Sequence, residues 1–105
     1  MNENDRIVKE GTQYIGEDEE IVYGLTTTPW GSSPSSPAVV AYDITDGGKT
    51  NVSDTVLEGV VSASGDVITL PKIKSLTAGN QYRIEILFTS GSQKFEVIVP
   101  IEAQQ

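Results

Sequence analysis

The side chains that could do chemistry in this 105-residue chain are mostly carboxylates: 15 Asp and Glu stand against 7 Lys and Arg, with no Cys and no His. Without thiol or imidazole there is no thiolate nucleophile, no His-based triad and no imidazole base, and most zinc and transition-metal sites lose their usual ligands. What is left is carboxylate, Lys, Tyr and hydroxyl chemistry. Carboxylates that converge act as an acid and base pair or hold a hard cation such as calcium. Asp43, Asp46, Asp54 and Asp66 instead stand at or near expected turns, where Asp is favoured because it bonds nearby backbone. Glu17-Asp18-Glu19-Glu20 reads as a solvated acidic run. Neither set has the alternating Asp spacing of an EF-hand loop. Gly47-Gly48-Lys49-Thr50 suggests a phosphate loop, but the position that should hold the first Gly is Asp43 and no helix pattern follows. No catalytic constellation and no metal or cofactor site assembles, so a protein that is not an enzyme is expected.

The charge narrows the partners. A net charge of -8 disfavours nucleic acid and anionic lipid, whose affinity comes largely from Lys and Arg on phosphate. Lys49, Lys72, Lys74 and Lys94 are scattered along the chain and form no basic cluster. No apolar run approaches the roughly 20 residues of a membrane helix, and Met-Asn-Glu-Asn-Asp is not the opening of a signal peptide. A chain that stays in, or is assembled from, the cytoplasm is expected. Sugar could stack on exposed rings, and Trp30 and Tyr14 are the plausible outward pair.

The elements that must position these residues read as strands. Residues 1–11 offer only Ile7 and Val8 as core residues and are expected to form a flexible acidic arm, leaving residues 12–105 as one domain. Gln13-Tyr14-Ile15 suggests a short edge strand. From Glu20 onward, runs rich in Val, Ile, Thr and Tyr alternate with Gly, Pro, Ser, Asn and Asp clusters. Period two predicts one face of Ile21, Tyr23 and Leu25 and another of Val40, Tyr42 and Ile44. Residues 29–37, with three prolines and four serines, predict a loop. Residues 55–61 predict a strand, and Ser64-Gly65-Asp66 a hairpin turn into Val67-Ile68-Thr69-Leu70. Tyr82, Ile84, Ile86 and Phe88, then Phe95, Val97, Val99 and Ile101, give the clearest hairpin, about Ser90-Gly91-Ser92. The expected fold is all-β, an antiparallel β-sandwich of about seven strands.

Leu76, Gly79 and Tyr82 stand at three-residue intervals before the most regular strand. This spacing resembles the tyrosine corner of immunoglobulin-like and fibronectin type III domains, in which the ring fills a corner of the core and the hydroxyl bonds upstream backbone. A wider resemblance runs from about Tyr14 onward. It is carried by Ile15-Gly16-Glu17-Asp18-Glu19, Thr27-Thr28-Pro29-Trp30-Gly31 with its Ser/Pro loop into Val39-Val40-Ala41-Tyr42-Asp43, and Val56-Leu57-Glu58-Gly59. It continues through Gly65-Asp66-Val67-Ile68-Thr69-Leu70-Pro71 and Leu76-Thr77-Ala78-Gly79-Asn80-Gln81-Tyr82-Arg83. In this order the chain resembles small immunoglobulin-like or fibronectin type III-like proteins encoded in bacteriophage and prophage virion gene clusters. The resemblance implies a structural, decorating or adhesive part of a capsid or tail, made in the bacterial cytoplasm and then carried on the virion, with no catalytic residues. The alternative is a surface adhesion or carbohydrate-binding module.

Parity gives the expected contact surface. Leu87 and Ile98 fall on outward positions of the two arms of the last hairpin, and Trp30 falls in the loop. Paired outward apolar residues on one sheet face suit protein contact, with a virion component or with a second copy.

Overall fold

The computed structural model describes residues 12–28 and 30–105; the expected arm, residues 1–11, lies outside them. The described residues form an all-β fold. Strands β1 (Gln13–Gly16), β2 (Gly24–Thr26), β3 (Ser35–Asp43) and β4 (Thr50–Asn51) precede one helical turn, α1 (Ser53–Val56). Then follow β5 (Leu57–Glu58), β6 (Ser62–Ser64), β7 (Val67–Thr69), β8 (Lys72–Ile73), β9 (Gln81–Ser90) and β10 (Gln93–Gln104). A five-stranded sheet has the order β1-β10-β9-β3-β4, a three-stranded sheet β2-β7-β6, and β5 pairs with β8.

The β9–β10 hairpin is the spine of the larger sheet. Its inner rows place Tyr82 opposite Ile101, Ile84 opposite Val99, Ile86 opposite Val97 and Phe88 opposite Phe95. The two Phe rings stack with centroids 5.5 Å apart, a geometry that stabilises beyond simple burial. Each large side chain buried here contributes about 1.5–3 kcal/mol. Leu25, Ile68 and Leu70 from the β2–β7 side, with Val56 and Ile73, join the same cluster, so the sheets share one core. Gly65, at φ 58°, is the first of two residues between Ser64 and Val67, the position at which a type II′ hairpin turn requires a positive φ.

Four expectations are corrected. The five-stranded sheet is mixed: β1 runs parallel to β10, Gln13 beside Ile101 through Gly16 beside Gln104, because first and last strands are joined by the whole fold and not by a hairpin. The strand expected at residues 40–44 has the opposite parity, with Ala41 fully buried, Val39 packed on the core, and Val40 and Tyr42 on the outer face. That strand also begins inside the expected loop, at Ser35. The register shifts between Ser35 and Ala38, and a Pro such as Pro37 is tolerated in such a bulge because its missing N–H breaks no ladder bond. Finally, residues 55–61 are not one strand. Asn51 Oδ1 accepts from the Ser53 N–H at 3.0 Å, and the Val52 carbonyl accepts from the Thr55 and Val56 N–H groups at 2.9 and 3.0 Å. Local side-chain bonding of this kind draws the chain into a turn.

Candidate interaction surface

The outer face of the five-stranded sheet is built from every second residue of its strands. Across β3, β9 and β10 the register aligns Ala38, Leu87 and Glu96; then Val40, Glu85 and Ile98; then Tyr42, Arg83 and Pro100. Gln81, Glu102 and Tyr14 continue the face toward β1. Apolar groups therefore surround a central carboxylate. Glu85 is 7% exposed, and a charge so covered must be paired. Its Oε2 lies 2.8 Å from Arg83 Nε and 3.7 Å from Lys49 Nζ. The Arg83 contact is an ion pair without an aligned N–H, since neither atom makes a hydrogen bond of good angle. Lys49 also sits over the Tyr42 ring, 4.5 Å from its centroid, a cation–π distance. Arg83 reaches Glu96 at 4.0 Å.

Of the three residues expected on the contact surface, Leu87 is on this face and 39% exposed. Ile98 has the expected outward parity but is only 7% exposed. Its register partner is Glu85, while that of Leu87 is Glu96, so Leu87 and Ile98 are diagonal neighbours and not a directly opposed pair. Trp30 does not join them; it is half-buried and packs against the core. Its neighbour Gly31 explains the close fit of that loop, since a Cβ there would stand 2.6 Å from Ser90 Cβ and Oγ and 3.3 Å from Phe95. Val40, Tyr42, Lys49, Arg83 and Glu85 were not singled out from the sequence as contact residues. The signal available was the Arg83-Glu85-Leu87 alternation, which puts opposite charges two apart on one strand face.

Leu76, Gly79 and Tyr82 meet at the entry to β9. Leu76 and Tyr82 are buried, Gly79 has φ 87°, and the Tyr82 hydroxyl accepts from the Thr77 N–H at 2.9 Å. Beside this corner Asp43 accepts at Oδ1 from the Thr45 hydroxyl at 2.6 Å and the Thr45 N–H at 3.0 Å, and at Oδ2 from Asn80 Nδ2 at 3.0 Å. Those bonds, the Thr45 hydroxyl first, hold its carboxyl below the usual carboxylate range. Asp66 plays a similar part, accepting from the Thr28 hydroxyl at 3.2 Å and the Ser33 N–H at 2.9 Å. Among the described residues no three carboxylates converge as metal ligands would, and no helix is long and apolar enough to cross a membrane.

No protein-family model matches the chain, and no curated protein is significantly similar to it.

Proposed function

We propose that the chain is a non-enzymatic, immunoglobulin-like β-sandwich domain that docks onto other proteins through the outer face of its five-stranded sheet, in a phage or prophage virion. The fold part of this reading is supported by the mixed five-stranded and three-stranded sheets around one core and by the bonded Tyr82 at the entry to β9. The observation that carries the functional part is the outer face itself: Val40, Tyr42, Leu87 and Pro100 lie around a covered ion pair on one continuous surface. A partly apolar surface whose central charges, Glu85, Arg83 and Lys49, are engaged with one another suits a protein contact. The virion setting rests on the sequence resemblance alone. A carbohydrate site has less support, since Trp30 packs inward and Lys49 covers the Tyr42 ring, which leaves Tyr14 as the exposed ring.

Co-sedimentation tests the reading. The purified chain, mixed with assembled particles or with the capsid and tail proteins encoded beside it, should pellet with one of them, and Leu87→Glu should abolish this while leaving the circular dichroism spectrum unchanged. Binding that survives Leu87→Glu, or the absence of binding to all of them, contradicts it.

A further inference from the structure

The distribution of charge says which partner the outer face accepts. The described residues include 12 acids and 5 bases, a net charge of -7. Three of the bases, Lys49, Arg83 and Lys94, lie on the outer face of the five-stranded sheet, and so do three acids, Glu85, Glu96 and Glu102. The face is thus neutral, and the whole of the -7 is carried elsewhere: Glu17 to Glu20 beyond β1, Asp43 at the end of β3 beside the inward Tyr82, Asp46 beyond it, and Asp54, Glu58 and Asp66, less Lys72 and Lys74. Lys72 and Lys74, the remaining bases, are occupied by Glu20 and Glu58.

A second copy of so acidic a chain is repelled by most of this surface and meets no net repulsion on the outer face. A basic partner, by contrast, would be drawn to the acidic surfaces and not to this one. The face also has features that suit self-docking: apolar groups around a covered central ion pair, and equal numbers of both signs, so that one patch can serve as its own complement. Three long strands, β3, β9 and β10, at about 4.8 Å spacing over about eight residues, with the short β1 and β4 at the edges, give a patch on the order of 500 Å² per copy, the lower end of what a specific, readily reversible dimer buries.

We propose that the outer face of the five-stranded sheet is a homodimer interface, formed by two copies packing sheet to sheet across Ala38, Val40, Tyr42, Leu87 and Pro100, above the covered Glu85 and Ile98. The proposal rests on the reading of this face as the docking surface, and adds that its occupant in the free chain is a second copy, which a virion protein must displace. Two such copies still repel at long range, so added salt strengthens the dimer, because charges further apart than about 10 Å are screened at 0.1 M.

Sedimentation velocity on the full chain over a concentration series tests this. The expected result is a monomer–dimer equilibrium whose dimer fraction rises with sodium chloride. Leu87→Glu should weaken it at least tenfold, as should Ala38→Glu, an exposed residue in the same row that offers a second variant should the first fail to fold. Val60→Glu, on the exposed loop before β6, should leave it unchanged. A chain that stays monomeric at all concentrations, a dimer untouched by both face variants, or one that dissociates as salt is added overturns the proposal. Co-sedimentation with particles that is lost in Leu87→Glu while the chain alone stays monomeric would overturn the homodimer and leave the docking face standing; a dimer without particle binding would do the reverse for the virion partner.

Discussion

Tyr82 ties the two ends of this structure's logic together, since its ring belongs to the core and its oxygen to the backbone. Tyr82→Phe keeps the ring and leaves the Thr77 N–H without its acceptor, which should cost about 1 kcal/mol; Tyr82→Ala also opens a cavity and should cost about 3 kcal/mol or more. Urea unfolding of the two variants measures both. Asp43 supplies the pH dependence. Its folded pKa is depressed by Thr45 and then Asn80, so its contribution is complete above the unfolded carboxylate range, about pH 4, and is lost as pH falls through the folded value. The melting temperature of the wild type should therefore drop on acidification by more than that of Asp43→Asn, which has no carboxylate to titrate. Equal acid slopes would show that the Asp43 bonds do not hold in solution. Glu58 is shifted down by Lys72 and then Lys74, and Lys72 up by Glu20 and then Glu58, but these groups are solvated, and salt screens such pairs.

At the scale of elements, the loop between β2 and β3 is held by two residues from elsewhere, Asp66 and Ser90, whose hydroxyl donates to the Ser32 carbonyl at 2.7 Å. Asp66 binds it at Thr28 and Ser33, and Gly31 lets it pass against Ser90. Gly31→Ala should destabilise by about 1–3 kcal/mol through overpacking, read as a lower denaturation midpoint at unchanged slope. The β9–β10 hairpin was legible because eight large residues alternate in phase with polar ones, and its Gly-containing turn fixes the register. The strand β3 was not, since Val40 and Tyr42 on its outer side are larger than Ala41 on its inner side, and parity follows size only where one face is polar. Residues 53–58 were misread for a different reason: the Ser53 hydroxyl accepts from the Ala41 N–H at 2.9 Å, a bond between positions 12 apart that no local pattern announces. Leu87 was placed on the correct face and Ile98 also, but the shielding of Ile98 depends on side chains of neighbouring strands. The central triad, Glu85 with Arg83 and Lys49, draws one member from a loop before β4, and its covering could not be read from β9 alone.

For the whole molecule, the account predicts a domain that contacts its partner with a sheet face and keeps its acidic surfaces in water. The acidic surfaces oppose indiscriminate association and the neutral face permits one kind, a division of labour that needs no catalytic group. The most direct measurement is the methyl NMR spectrum of the chain across a dilution series. Val40, Leu87 and Ile98 report the outer face, while Val22, Val60 and Val67, all well exposed, lie outside it. On concentration, the methyl signals of Val40, Leu87 and Ile98 should shift together along a single binding curve while those of Val22, Val60 and Val67 stay fixed. Shifts confined to Val22, Val60 and Val67 would contradict the reading of the outer face as the contact surface, and a spectrum that does not change with concentration would contradict the dimer.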